Sequence, residues 1–332
     1  MTAISYHASL NDLQGLDWAE RGPFARPQWF ALLEASGMQP LLATARKGAE
    51  ALALPLRAAD GRFEVLTNWY AFTWSDLRTS GLTQNALMHE LVSDMARDIA
   101  GRTHRVDFDK LPVEDGTAEK LAAAFRSAGW IVLSEACDTN HILRVQGRDY
   151  AAYLASLPGK LRTTLKRKAK KVDITLSTRF DAQDWAAYED IYAESWKPEE
   201  GDPALLRRFA EQESEAGRFR FGMARYQGEP VAAQFWTVDE GTAYIHKLAH
   251  RESAKPVSPG TSLTAALFER VIDTDKVALV DFGTGDDPYK RDWMEEVRER
   301  RRLTCLRASA PRNWPVLAKA CLRKLVQRRG QS

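Results

Sequence analysis

The chain has 332 residues, 44% of them hydrophobic and 28% charged, which is enough for one or two domains with sizeable cores. The lack of any apolar run of bilayer length excludes a membrane-spanning helix, and the net charge of +2 hides an uneven distribution, with a basic run at Lys160–Lys171 and a strongly basic last 25 residues. Cys137, Cys305 and Cys321 are odd in number and far apart, so they form neither a disulfide framework nor a metal-ligand spacing, and no metal is expected. The opening M-T-A-I-S-Y-H has no charged segment followed by an apolar one, so a cytoplasmic protein is expected.

In chain order, residues 23–37 predict a helix entered through Pro27 and stopped by Gly37. Residues 41–46, 51–57 and 63–67 predict strands, with Ala58–Gly61 as a hairpin turn. An aromatic loop follows at 68–77, carrying Trp69, Tyr70, Phe72 and Trp74. Leu87, Leu91, Met95 and Ile99 stand four apart and predict a helix over 84–101. A strand at 105–109, a helix at 117–128 and a strand at 130–134 complete the first half.

The order then begins again. Residues 149–172 read as helical with a break at Pro158–Gly159, and 172–178 as a strand. Helices are predicted at 182–196 and 203–217, then a meander at 219–225, 231–238 and 242–249. Residues 258–272 read as a loop into a helix, 277–282 as a strand, 288–301 as a helix and 303–307 as a closing strand. Two mixed α/β domains of similar topology are therefore expected, over 1–140 and 141–332.

Three stretches carry candidate chemistry. The first is V-A-L-V-D-F-G-T-G-D-D-P-Y-K-R-D-W (277–293), a buried strand opening into a permissive bend, where α/β proteins place reactive groups. A solvated acidic turn would look the same. The second is Lys160–Lys171, with seven basic residues in twelve and no acidic one. Arg162, Lys166 and Lys170 share a helical face there, fit for phosphate or for plain solvation. The third is the basic C-terminal helix near 313–327, with Trp314, Leu317, Cys321, Leu322 and Leu325 on one side. Docking on the body would cover that stripe; lying on a membrane surface is the other reading.

The ordered blocks D-Y-A-A-Y-L-A-S-L with the basic helix, V-A-A-Q-F, A-Y-I-H-K-L-A, S-P-G-T-S-L and D-F-G-T-G-D-D-P-Y-K-R-D-W resemble those of the GNAT acyltransferases. In particular they resemble the BioF2-like, or CelD-like, acetyltransferase group, which is similar to the FemAB peptidyltransferases. The resemblance covers about residues 140–310. It implies an α/β (mixed α+β) fold of tandem GNAT-like domains, each a mostly antiparallel splayed sheet flanked by helices.

The resemblance also implies roles. Strand 242–249 would present backbone amides to a thioester carbonyl, and Ser258, Gly260, Thr261 and Ser262 would receive a pyrophosphate, although the usual Arg or Gln and extra glycines are missing from that loop. Lys247, Arg162 and Lys166 would add charge to the donor site. Tyr289 would protonate the leaving thiolate, Lys290 matches the Tyr-Lys or Phe-Lys dipeptide of FemAB relatives, and Asp281 and Asp286 would orient Lys290 or accept a proton from an attacking amine. His246 is the candidate base, on the strand face opposite Lys247. Trp196, Gln234, Trp236, Trp69, Tyr70 and Asp286 would line the acceptor site.

The expected activity is transfer of an acyl group, acetyl first, from acetyl-CoA or a longer acyl-CoA to an amine or hydroxyl on a sugar, peptide or lipid-linked acceptor. No cysteine lies in these blocks, so attack would be direct. One alternative is an aminoacyl-tRNA-dependent transferase. The inserted coiled coil of its relatives is absent here, so tRNA is not expected as a partner. The other alternative is a non-catalytic binding protein with a degenerate cleft. A monomer or homodimer is expected, with a membrane surface as a partner only through the C-terminal helix.

Overall fold

The structure is a computed structural model that describes the backbone of residues 1–329 and the side-chain surroundings of residues 1–323. The chain divides into two compact units: Met1–Asp138 together with the segment from Glu299 onward, and Thr139–Arg298 between them. The last strand and helix thus group with the first unit, where the sequence placed them in the second.

The elements run β1 (Ala3–His7), α1 (Pro27–Ala35), β2 (Leu41–Lys47), β3 (Glu50–Ala59), β4 (Arg62–Val65), β5 (Leu77–Arg78), α2 (Asn85–Ile99), β6 (Arg105–Pro112) and α3 (Thr117–Ser127). The chain leaves the first unit within β7 (Ile131–Arg144). Then come α4 (Tyr150–Ser156), α5 (Gly159–Lys168), β8 (Asp173–Ser177), α6 (Ala182–Ala193), α7 (Pro203–Glu215), β9 (Phe219–Tyr226), β10 (Glu229–Asp239) and β11 (Thr242–His250). The last are α8 (Pro259–Glu269), β12 (Leu279–Thr284), α9 (Pro288–Arg291), β13 (Glu296–Leu306) and α10 (Trp314–Arg329). No helix among the described residues is long and apolar enough to cross a membrane.

In the first unit the strands lie in the order β1-β2-β3-β4-β6-β13, with the short β5 on β3. All pairings there are antiparallel except β4 with β6. The stripe Leu91, Met95 and Ile99 of α2 is buried as its spacing requires. In the second unit the order is β7-β12-β11-β10-β9-β8. Hairpins at Gln227–Gly228 and Glu240–Gly241 join β9, β10 and β11, with positive φ at both residues of each turn, which glycine adopts without steric cost.

Successive β10 residues face opposite layers of the second unit. Trp236 packs edge-on to Phe268 of α8 at 5.3 Å, and Phe268 stacks on Trp293 at 5.2 Å. Phe235 meets Trp185 of α6 at 5.5 Å and Phe209 of α7 at 5.8 Å. Aromatic pairs of this geometry are worth about 0.5–1.5 kcal/mol each beyond their burial.

Two expectations need correction. Residues 288–301 are not one helix: α9 has a single turn after Pro288, and β13 follows. Its strand pattern is masked because arginines occupy inward positions. Arg300 is 1% exposed and binds Glu114 at 2.9 Å, while Arg298 binds Asp281 at 2.9 Å. Among the described residues, the apolar stripe of α10 is only partly covered. Trp314 and Leu322 are 59% and 63% exposed, and the helix instead turns Val316, Lys319 and Ala320 toward a cavity shared with Arg105 and Arg302. Lys324 and Leu325 lie outside the described side chains.

Candidate active site

Strands β11 and β12 pair in parallel through three positions: Thr242 with Leu279, Ala243 with Val280 and Tyr244 with Asp281. Past Tyr244 they diverge. At the same level the β10–β11 register jumps, with Phe235 opposite Lys247 but Trp236 opposite Ile245, so His246 is the extra residue of a β-bulge. The backbone of β11 beyond the bulge lacks a β12 partner in that register and faces the gap between the strands.

The bulge overturns the expected division of His246 and Lys247 between opposite faces. Both meet the α6–α7 layer. The His246 ring lies 5.0 Å from Phe235 and 5.1 Å from Phe209, with Nε2 2.8 Å from the Thr237 hydroxyl. Lys247 donates to Glu200 at 2.7 Å and sits 5.2 Å from the Tyr192 ring. Burial pushes the Lys247 ammonium down, with Glu200 opposing.

The end of β12 forms the second wall. Asp281 accepts from Asn140 Nδ2 at 2.6 Å, from the Gly283 N–H at 2.8 Å and from Arg298 at 2.9 Å. Arg298 also donates to Asn140 Oδ1 at 2.8 Å. This buried network fixes the bend, whose Gly283 and Gly285 have φ of 68° and 95°. Lys290 is buried beneath the bend, donating to the carbonyls of Thr284 and Gly285. Tyr289 is 36% exposed, with its ring 5.6 Å from Phe282. Burial, then Asp287, raises its phenol above the ordinary tyrosine range. Asp286 binds His141 at 3.0 Å and Arg291; chiefly Arg291 and then His141 hold its carboxyl below the usual range.

The N-terminus of α8 closes the far end. Ser258 precedes it in the left-handed region with φ 52° and makes no side-chain cap to the helix. Its hydroxyl instead accepts from Lys168 Nζ of α5 at 3.0 Å. Amides of a first turn have no partner within their own helix, so a cation and free N–H groups stand together here. A Cβ on Gly260 would lie 3.6 Å from His250 Nδ1. His250, at the end of β11, stacks on Trp196 at 4.4 Å, and burial with Lys255 and Lys197 nearby lowers its pKa. Thr261 and Ser262 follow in the first turn of α8. Arg162 and Lys166 line a cavity of about 580 Å³ beside α8, with Leu154, Leu165 and Ser262.

A second cavity of about 570 Å³ lies at the α6–α7 layer. Tyr188, Tyr192, Lys197, Glu199, Glu200 and Leu206 are among its walls. Trp196, expected at an acceptor loop, is 48% exposed beside it in sequence. Gln234 and Trp236, expected to line the acceptor site, are instead 1% and 0% exposed. Gln234 donates to Thr264 Oγ1 at 2.6 Å and accepts from Trp236 Nε1 at 2.9 Å, so both belong to the α8 core. In the first unit Tyr70 is buried and Trp69 is exposed.

The sequence reading missed Lys168, Lys197, Glu200, His250, Asn140 and Arg298. Lys168 sat within a basic run that offered no reason to single it out. The others depend on partners far away in the chain.

This geometry can be compared with known proteins. Residues 159–291 match the family model described as an acetyltransferase (GNAT) domain. Over nearly its whole length the chain shares its fold with FemX: TM-score 0.60 at 10% identity, covering 91% of this chain and 96% of FemX. It is similar to L-PGS from Bacillus licheniformis (TM-score 0.53, 14% identity, covering 93% of this chain and 99% of that one). It is also similar to the C-terminal domain of a putative lysylphosphatidylglycerol synthetase from Agrobacterium fabrum (TM-score 0.55, 12% identity, covering 89% and 92%). No curated protein matches.

Proposed function

We propose that the protein is an acyl-CoA-dependent acyltransferase, acting on an amine or hydroxyl of a sugar, peptide or lipid-linked acceptor. The observation that carries this reading is the divergence of β11 from β12 at the His246 bulge. Such a gap leaves backbone amides free to hold a thioester carbonyl and the oxyanion formed on attack. The first turn of α8 with Lys168 supports a pyrophosphate site, and Arg162 and Lys166 support binding of a further phosphate. Tyr289, neutral across the working pH range, would give its proton to the departing thiolate. Lys290 holds the bend in shape and adds positive charge behind it.

The 570 Å³ cavity beside Glu200 supports entry of the acceptor from the α6–α7 side. Both thiols with a resolved shift favour the neutral form. Burial pushes Cys137 up to about 11 and holds Cys305 well above its ordinary value, so direct attack fits better than a thiol intermediate. Calorimetric titration with acetyl-CoA, a longer acyl-CoA and free CoA tests the reading. Micromolar binding is expected, and no binding by any of the three would sink it.

A second reading keeps the fold and takes an aminoacyl-tRNA donor. The Tyr289–Lys290 pair and the basic face of α5 favour it. Under this reading donor affinity falls steeply with salt, several-fold or more between 50 and 200 mM, whereas acyl-CoA binding changes far less.

A further inference from the structure

We propose that Lys197 is the catalytic base of this site, taking the proton from the attacking acceptor; the inference rests on the acyl-transfer reading above. Lys197 follows α6 and lines the acceptor-side cavity. Its ammonium makes no hydrogen bond or ion pair among the described residues, and the Trp196 ring stands beside it, with Nζ 5.7 Å from the centroid. That is an unusual placement for a partly buried lysine, because a charged amine taken from water needs a partner. The charged form is therefore less favoured here than for a lysine in water.

The surrounding charges act in the same sense. Lys247 of β11 and Lys290 of α9 oppose a further positive charge, while Asp287 of the bend and Glu200 of its own loop favour one. Glu200 is already engaged by Lys247 at 2.7 Å, and Asp287 lies 3.9 Å from Lys290. Burial is the largest influence, and His250 of β11 and the cavity residues Tyr188, Tyr192, Glu189 and Glu199 are the other titratable groups around it. Together they bring the Lys197 amine down to about 8, so a useful fraction is free base at neutral pH. The cavity, the missing partner and the cluster of like charges place this amine where an acceptor would lie.

The step balances. The acceptor nitrogen bonds to the thioester carbon as the carbonyl pair moves to oxygen, and neutral Lys197 takes the N–H proton. The oxyanion re-forms the carbonyl and breaks the C–S bond, and sulfur leaves with the pair and the Tyr289 proton. The Lys197 ammonium passes its proton through solvent to the tyrosinate. One proton leaves the amine and one reaches the thiol.

The test measures CoA release from acetyl-CoA by the full chain, with water, glucosamine or Nα-acetyl-lysine amide as acceptor, from pH 6 to 10, each rate referred to the concentration of unprotonated acceptor so that the acceptor's own titration is removed. Wild type should rise tenfold per pH unit below about 8 and then level off. Lys197→Gln should lose roughly a hundredfold or more in kcat and lose that limb, yet bind acetyl-CoA with a Kd within about twofold of wild type. Lys197→Arg should be equally inactive, since guanidinium cannot accept a proton. Activity retained in Lys197→Arg would overturn the base role in favour of simple charge, and so would an unchanged pH limb in Lys197→Gln. Wild type that neither binds nor turns over acetyl-CoA would remove the acyl-transfer reading and this inference with it, a result separable from the first two by the calorimetry.

Discussion

Asp281 ends a buried strand where the sequence suggested a reactive carboxylate, yet its oxygens accept from Asn140, Gly283 and Arg298. A carboxylate so held is a fastener. Asp281→Ala removes the carboxylate from the partly buried Arg298 and the acceptor from Asn140 Nδ2 and the Gly283 N–H, and should cost about 3 kcal/mol, read as a lower Tm in thermal unfolding. Tyr289→Phe should leave the fold intact and lower kcat about a hundredfold. Because the phenol is raised above its ordinary value, wild type should show no tyrosine limb in its pH profile below about pH 10. Lys197 carries a stability consequence of opposite sign to most ion pairs. Its folded pKa, about 8, lies below the unfolded one, so the charged form penalises folding. The penalty grows as pH falls from the ordinary lysine range to about 8 and is constant below. Lys197→Met should therefore raise Tm at pH 7 by a few degrees and change it little at pH 11.

At the scale of elements, the site is assembled from strand ends and one helix start. Lys168→Ala removes the cation at the α8 N-terminus, and donor binding should weaken about tenfold with no change in Tm. Much of this level was legible in the sequence. Helix α2 showed its buried stripe, and the turns at Gly61, Gly228 and Gly241 marked their hairpins. Only the end of strand β13 was legible, as the closing strand at 303–307; its first half was not, because a period-two signal needs apolar residues at inward positions, and Arg298 and Arg300 stand there with carboxylate partners contributed by Asp281 and Glu114. The His246 bulge was hidden for another reason. Alternation along one strand assumes regular pairing, and the register jump belongs to β10 and β11 together. The Tyr289–Lys290 pair was readable as a motif, while Lys197 gains its character from burial first and then from Lys247 and Lys290, 50 and 93 residues further along the chain.

At the scale of the whole chain, the second unit is one continuous segment, Thr139–Arg298, and the first is made of two pieces. Arg298 at its end binds Asn140 near its start at 2.8 Å, so the two ends of the segment are pinned together. Ending the chain at Arg298 removes most of β13 from β6. Leu303, Cys305 and Leu306 would no longer cover that strand, and the first unit should lose cooperative unfolding while the second keeps its near-UV circular dichroism. The same arrangement orders events during synthesis. The second unit has all of its strands once Arg298 leaves the ribosome, but β6, made almost 190 residues earlier, waits unpaired on one side until β13 emerges. At about 5–20 residues per second that interval is on the order of ten seconds or more. An open strand edge is exposed throughout it, which makes translation speed over the middle of the message a determinant of yield.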